Sequence, residues 1–132
     1  ETRKVVLVQE IMQRKVVTIK EDQEITEAAK KLLRGETNHL PVLNEQGRLT
    51  GVVTTFDIAK AVARPERKVK VQDVMTRNVI TTLADEPIDI AAQKMDHHRI
   101  SALPVVDAQN QCIAILHASD LGKLFKPGGG RP

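Results

Sequence analysis

Short apolar runs separated by polar turns dominate the chain, and their spacing switches between the period of a strand and that of a helix. Lys4 to Val8 is a short apolar run that reads as a strand, and Gln9 to Met12 as a brief helical turn. Val16 to Ile19 is β-branched and predicts a strand. Asp22 is placed to cap a helix running to about Leu33, with Ile25, Ala28, Ala29, Leu32 and Leu33 on one apolar stripe. His39 to Leu43 predicts a second strand and Asn44 to Gly47 a turn in which Gly47 takes positive φ. Leu49 to Val53 predicts a third strand. Thr54 and Thr55 are candidate caps for a last helix carrying Ile58, Ala59 and Val62.

The same order then recurs. Shifted by 63 residues, the chain matches itself without a gap, and 16 of the 50 positions from 8 to 57 are identical. Met12 meets Met75, Thr18 meets Thr81, Leu40 Pro41 Val42 meets Leu103 Pro104 Val105, and Asp57 meets Asp120. An ungapped internal match of this extent means a duplicated unit. The second copy predicts elements at Val79 to Thr82, Ile88 to Met95, Leu103 to Val106, Cys112 to Leu116 and Leu121 to Phe125. The expected fold is α/β, with two β-α-β-β-α units. The first unit is expected over residues 1–64 and the second over 65–126, followed by a flexible tail at 127–132.

Composition narrows the function classes. A unit of about 60 residues buries too little surface to be comfortable alone, whereas two sharing a core suffice. Aromatic residues are limited to Phe56 and Phe125, with no Trp or Tyr. The core must therefore be aliphatic, and few rings remain for stacking bases. A net charge of +3 is mildly basic. Its densest stretch, Arg64 to Lys70, reads as a solvated linker rather than a nucleic-acid patch. Cys112 is alone and lies in an apolar run, where a buried inert thiol is expected. A single cysteine and the lack of a leader-like segment point to a reducing, cytoplasmic setting. No apolar stretch reaches the length of a membrane span. The chain begins at Glu1 without an initiator methionine, which points to a processed chain or a piece of a longer one.

The segment most informative about chemistry is Gly51 to Asp57, where a strand ends, hydroxyls follow and an aspartate enters the first turn of a helix. Helix N-termini present free N–H groups to anions, so a phosphate fits there with Thr54 or Thr55 donating. Asp57 has two acceptor oxygens suited to the two hydroxyls of a ribose. Plain helix capping accounts for the same residues. In the second copy Ala114 stands for Gly51 and His117 for Thr54, while Asp120 keeps the carboxylate. The histidines, His39, His97, His98 and His117, have no metal-binding spacing. No nucleophile motif, phosphate-binding glycine loop or asymmetric acid/base pair is present, so the chain is not expected to be an enzyme by itself.

The duplicated unit resembles the CBS domain, named for cystathionine β-synthase, and the pair resembles a Bateman module. The likeness rests on Ile11 Met12 with Val16 to Thr18, on Val74 Met75 with Val79 to Thr81, and on His39 to Val42 and Ser101 to Asp107. Gly51 to Asp57 completes it, with a weaker echo ending at Asp120, and it covers about residues 3 to 125. The resemblance implies two units packed as a pseudo-twofold pair, and binding of adenosine-containing ligands: AMP, ADP or ATP foremost, S-adenosylmethionine or NAD less so. Asp57 or Asp120 would hold the ribose, Thr54 would contact phosphate or ribose, and backbone near Val17 and Ile80 would read the adenine. The residues that it implicates are Val17, Thr18, His39, Leu40, Pro41, Thr54 and Asp57 in the first copy. In the second they are Ile80, Thr81, Ala102, Leu103, Pro104, His117, Ser119 and Asp120. Arg14, Arg34, Arg77 and Arg99 are either phosphate partners or solvated surface. His117 and Ala114 depart from the pattern, so one site is open to being degenerate. The expected role is a regulatory sensor that forms a homodimer and acts on an attached or associated effector domain. A ligand-free dimerisation module and a weak nucleic-acid binder are the alternatives.

Overall fold

The structure is a computed structural model that describes residues 4–34, 37–65 and 68–125. The expected tail at 127–132 lies outside the described residues, as does Arg67 of the basic stretch. The elements run α1 (Val8–Ile11), β1 (Ile19–Lys20), α2 (Ile25–Leu33), β2 (His39–Leu43), β3 (Leu49–Thr54) and α3 (Thr55–Ala63). They recur as α4 (Val71–Val74), β4 (Thr82–Leu83), α5 (Ile88–His98), β5 (Ala102–Val106), β6 (Cys112–His117) and α6 (Ala118–Gly122), with a 3₁₀ turn at Lys123–Phe125. Two three-stranded sheets result, ordered β1-β2-β3 and β4-β5-β6. β1 runs parallel to β2 and β2 antiparallel to β3, with an irregularity between Val42 and Leu43. β4 likewise runs parallel to β5. The fold is the mixed α/β class that the repeat predicts.

The chain divides into two compact units, and the division does not follow the repeat. One, termed the Asp57 unit, comprises Val17–Val79 and Gln109–Cys112. The other, termed the Asp120 unit, takes the chain up to Val16, then Ile80–Ala108, then the chain from Ile113 onward. Each copy of the repeat therefore contributes its opening segment to the unit built on the other copy. The hydrogen bonds that fix these segments are equivalent. In the Asp120 unit Val8 N–H donates to Glu86 (2.9 Å), Gln9 N–H to Ala84 (2.8 Å), and Ile88 N–H to Val6 (2.9 Å). In the Asp57 unit Val71 N–H donates to Gln23 (2.8 Å), Gln72 N–H to Glu21 (3.0 Å), and Ile25 N–H to Val69 (2.8 Å).

The cores have the aliphatic character that the composition requires. In the Asp120 unit Val8 and Met12 pack with Ala91, Met95, Leu103, Val105, Ala114 and Leu116. In the Asp57 unit Val71 and Met75 pack with Ile19, Ala28, Leu32, Leu40, Val42 and Val53. Burial of these side chains supplies the main driving force for each unit.

Several local expectations are corrected. Val8 opens a helix and does not end a strand, because the segment around it meets the connection between β4 and α5. The strand expected from Val16 shrinks to Ile19–Lys20, and just before it the outward-facing carbonyl of Thr18 accepts from the Lys31 ammonium at 2.6 Å. Thr81 is engaged in the same way by Lys94 at 2.9 Å, ahead of β4. Asp22 is exposed and does not cap α2; the N-cap is Glu24, and Val69 satisfies the first helical N–H. Leu33 and Val62 are exposed, and the inward residues of α3 are Asp57 and Ala61, one helical turn apart. Cys112 is half-buried at the start of β6. Gly47 does adopt positive φ, at 81°.

Candidate functional site

β2 and β3 bring most of the first-copy candidates together. Their register sets His39 opposite Thr54, Leu40 opposite Val53 and Pro41 opposite Val52. Leu40 and Pro41 are buried, and His39 and Thr54 are half-buried at the open end of the ladder. Thr54 is the N-cap of α3, so Asp57 falls in the first turn directly beneath it. Val17 and Thr18 precede β1 as half-buried backbone outside any strand.

The Asp57 carboxylate is 1% exposed and already well supplied with donors. Its Oδ2 accepts the Thr54 N–H at 2.9 Å, which closes the first turn of the helix. Lys60 Nζ lies 2.8 Å from Oδ1, and the Thr76 hydroxyl donates to the same oxygen at 3.3 Å. A buried carboxylate needs such partners, because ionised oxygens without them are costly to desolvate. Helix capping is thus present in fact, and ribose hydroxyls would have to share or replace donors already in place.

The Asp120 unit repeats the arrangement with different chemistry. Ala102, Leu103 and Pro104 are buried in β5, and Ile80 and Thr81 precede β4 as half-buried backbone. His117 closes β6 and is the N-cap of α6, while Ser119 points its residue to solvent. Asp120 is 3% exposed. Its Oδ2 accepts the His117 N–H at 2.8 Å, and its Oδ1 accepts from the Gln13 amide at 2.7 Å and from Lys123 Nζ at 3.3 Å. Burial pushes the Asp120 carboxyl upward. The bonds from His117, Gln13 and Lys123 outweigh burial and hold it below the ordinary carboxylate value.

Two residues at these carboxylates escape a motif-based reading. Gln13 and Thr76 occupy equivalent positions, and each reaches the aspartate of the other copy. They arrive through paired bridges, Gln13 with Ile115 and Thr76 with Val52. No local pattern reveals that exchange. Lys60 and Lys123 were legible, since both copies read Asp-x-x-Lys and residues three apart face one another on a helix. The arginines do not gather at either carboxylate within its unit: Arg14, Arg34, Arg77 and Arg99 are exposed, and Arg77 donates to the Gln72 carbonyl at 2.8 Å.

The sequence model of the CBS domain matches the chain twice, over residues 8–64 and 71–126. The chain belongs to the CBS domain family. It is 47% identical over 118 residues to a homoserine O-acetyltransferase of Methanococcoides burtonii, matching 89% of this chain and 24% of that protein. It is 41% identical over 121 residues to an L-aspartate semialdehyde sulfurtransferase of Methanocaldococcus jannaschii, matching 92% of this chain and 23% of that protein. The chain thus spans about a quarter of the length of these curated relatives. Among solved structures it is similar to the CBS domain pair of protein MJ0100 in complex with 5′-methylthioadenosine and S-adenosyl-L-methionine. That likeness has 41% identity and a TM-score of 0.83, and covers 92% of this chain and 97% of that one. Among the described residues no helix is long and apolar enough to cross a membrane.

Proposed function

We propose that this CBS pair is a regulatory module that binds an adenosyl ligand and transmits its presence to an attached domain or partner. The observation that carries the reading is the 41% identity, over nearly the whole chain, to a CBS pair solved with 5′-methylthioadenosine and S-adenosyl-L-methionine. Asp57 and Asp120 are the candidate ribose ligands. Val17, Thr18, Ile80 and Thr81 are candidates for the adenine edge. Within each unit, the cations close to the carboxylate, Lys60 and Lys123, are committed to it. The ligands of that similar pair add an adenosyl thioether and a sulfonium to the AMP, ADP or ATP that the resemblance implies. To regulate, the ligand must bind two conformations with different affinity. The size of the curated relatives, about four times the matched segment, supports a fused effector.

A ligand-free structural role is the second reading, favoured by the donors that Asp57 and Asp120 already accept. Isothermal titration separates the two. The chain is titrated with 5′-methylthioadenosine, S-adenosylmethionine, AMP, ADP, ATP and NAD, then repeated with Asp57→Asn and Asp120→Asn. Asparagine keeps an oxygen for the helix N–H and removes the charge. Micromolar binding weakened about tenfold or more in a folded variant supports the sensor. Absence of heat with all six compounds up to about millimolar concentration refutes it.

A further inference from the structure

The backbone segments proposed to meet the base, Val16–Thr18 and Val79–Thr81, belong to no strand, although β1 and β4 begin immediately after them. Each ends on a carbonyl held by a lysine from the helix of its own unit. Lys31 of α2 donates to Thr18 at 2.6 Å, and Lys94 of α5 donates to Thr81 at 2.9 Å. The two lysines stand 63 residues apart, so both copies keep the contact even where neighbouring helix positions differ, as at Leu33 and Asp96. An ammonium on a carbonyl is a charge-assisted bond, stronger and more directional than a neutral one. It ties the outward-facing Thr18 and Thr81 carbonyls, which lie on the side away from the neighbouring strand, to the helix of the same unit. That fixes the plane of the following peptide, and the preceding residues, Val17 and Ile80, are half-buried without a ladder.

The surroundings of the two lysines differ in a way that argues against a mere surface ion pair. Lys94 also lies 2.9 Å from Glu86, whose carboxylate accepts the Thr82 hydroxyl at 2.6 Å and the Leu83 N–H at 2.8 Å. At the equivalent place the Asp57 unit has Gln23, whose uncharged side-chain oxygen accepts the Lys20 N–H at 3.3 Å. Among the described residues Lys31 forms no ion pair, so what both copies retain is the lysine–carbonyl bond and not the salt bridge.

We propose that Lys31 and Lys94 are positioning residues for base recognition: they clamp the backbone edge at Val17–Thr18 and Ile80–Thr81 so that it discriminates adenine from other purines. This rests on the adenosyl reading above. The test uses the full chain and two probes, 5′-methylthioadenosine and its 6-oxo counterpart, 5′-methylthioinosine, which exchanges a donor for an acceptor at the base edge. Wild-type binding is measured first. Failure to bind either nucleoside refutes the adenosyl reading, and the clamp with it. With binding established, Lys31→Met and Lys94→Met are compared with Lys31→Arg and Lys94→Arg, each checked for fold by circular dichroism. We expect at least one methionine variant to lose roughly tenfold in affinity for the adenine nucleoside and most of the preference over the 6-oxo probe. The arginine variant, still a cationic donor, should recover much of both. A folded pair of methionine variants with unchanged preference overturns the proposal while leaving the adenosyl reading intact. So does unfolding of both methionine variants, which would make the lysines structural.

Discussion

Gly51 is the position at which one added methyl group should be felt most sharply. A Cβ there would lie 2.6 Å from Met75 Sδ, 2.9 Å from Met75 Cγ and 2.9 Å from the Thr76 carbonyl oxygen. The sulfur belongs to a flexible side chain and can move, but Met75 is itself buried and has little room. The Thr76 carbonyl cannot yield without disturbing its bond from the Val52 N–H at 2.9 Å, and that bridge brings Thr76 to Asp57. Overpacking of this kind costs about 1–3 kcal/mol, and contact with both a buried side chain and backbone places Gly51→Ala near about 2 kcal/mol. With a denaturant slope of about 1.5 kcal/mol per molar, the urea midpoint falls by roughly 1.3 M. The chain has no Trp or Tyr, so far-UV circular dichroism is the suitable probe. A cycle with Met75→Ala apportions the clash: part of the cost of Gly51→Ala disappears when Met75 is shortened, and the part owed to the Thr76 carbonyl remains. The second copy carries alanine at the equivalent position, 114, within its own core. A midpoint unchanged in Gly51→Ala would refute the account of why the two copies differ here.

Two further outcomes follow from the same contacts. Asp120 and Glu86 are both held below their ordinary values of 3.8 and 4.5: burial raises each, and the donors around each outweigh it. A depressed folded value stabilises the native state above the unfolded value and is lost as pH falls through the folded one. The urea midpoint should therefore hold from neutrality to about pH 5 and then drop, and the drop should be shallower in an Asp120→Asn, Glu86→Gln variant. An identical acid profile in that variant would refute the assignment. Val8→Ala should destabilise by roughly 2 kcal/mol, and hydrogen exchange should quicken in α5 and β5. Val71→Ala should act on α2 and β2 instead; acceleration in β2 and β3 by Val8→Ala would contradict the division of the chain.

The sequence made legible what depends on near neighbours. His39–Leu43 is found where its β-branched and apolar pattern puts it, and Gly47 has the positive φ that its turn demands. Asp57 and Asp120 stand out because they recur at the head of a helix. What escaped is what the distant chain decides. Asp22 is a better local cap than Glu24, yet α2 starts where the Val69 carbonyl meets the Ile25 N–H. Val16–Thr18 has strand composition, but β1 begins only at Ile19, where the register with Val42 starts. Gln13 is an unremarkable polar residue until the fold carries it to an aspartate 107 positions away.

The exchange of opening segments also bears on inheritance. A stretch of gene encoding one repeat specifies a donor segment without its recipient and a recipient without its donor. Two such products would have to complete one another, so the smallest transmissible piece of this architecture is a doubled one. Selection then acts crosswise: Met75 must accommodate Gly51 of the opposite copy, and Met12 shares its core with Ala114. The two halves are free to drift apart from each other in sequence, provided that each keeps step with the segment it receives.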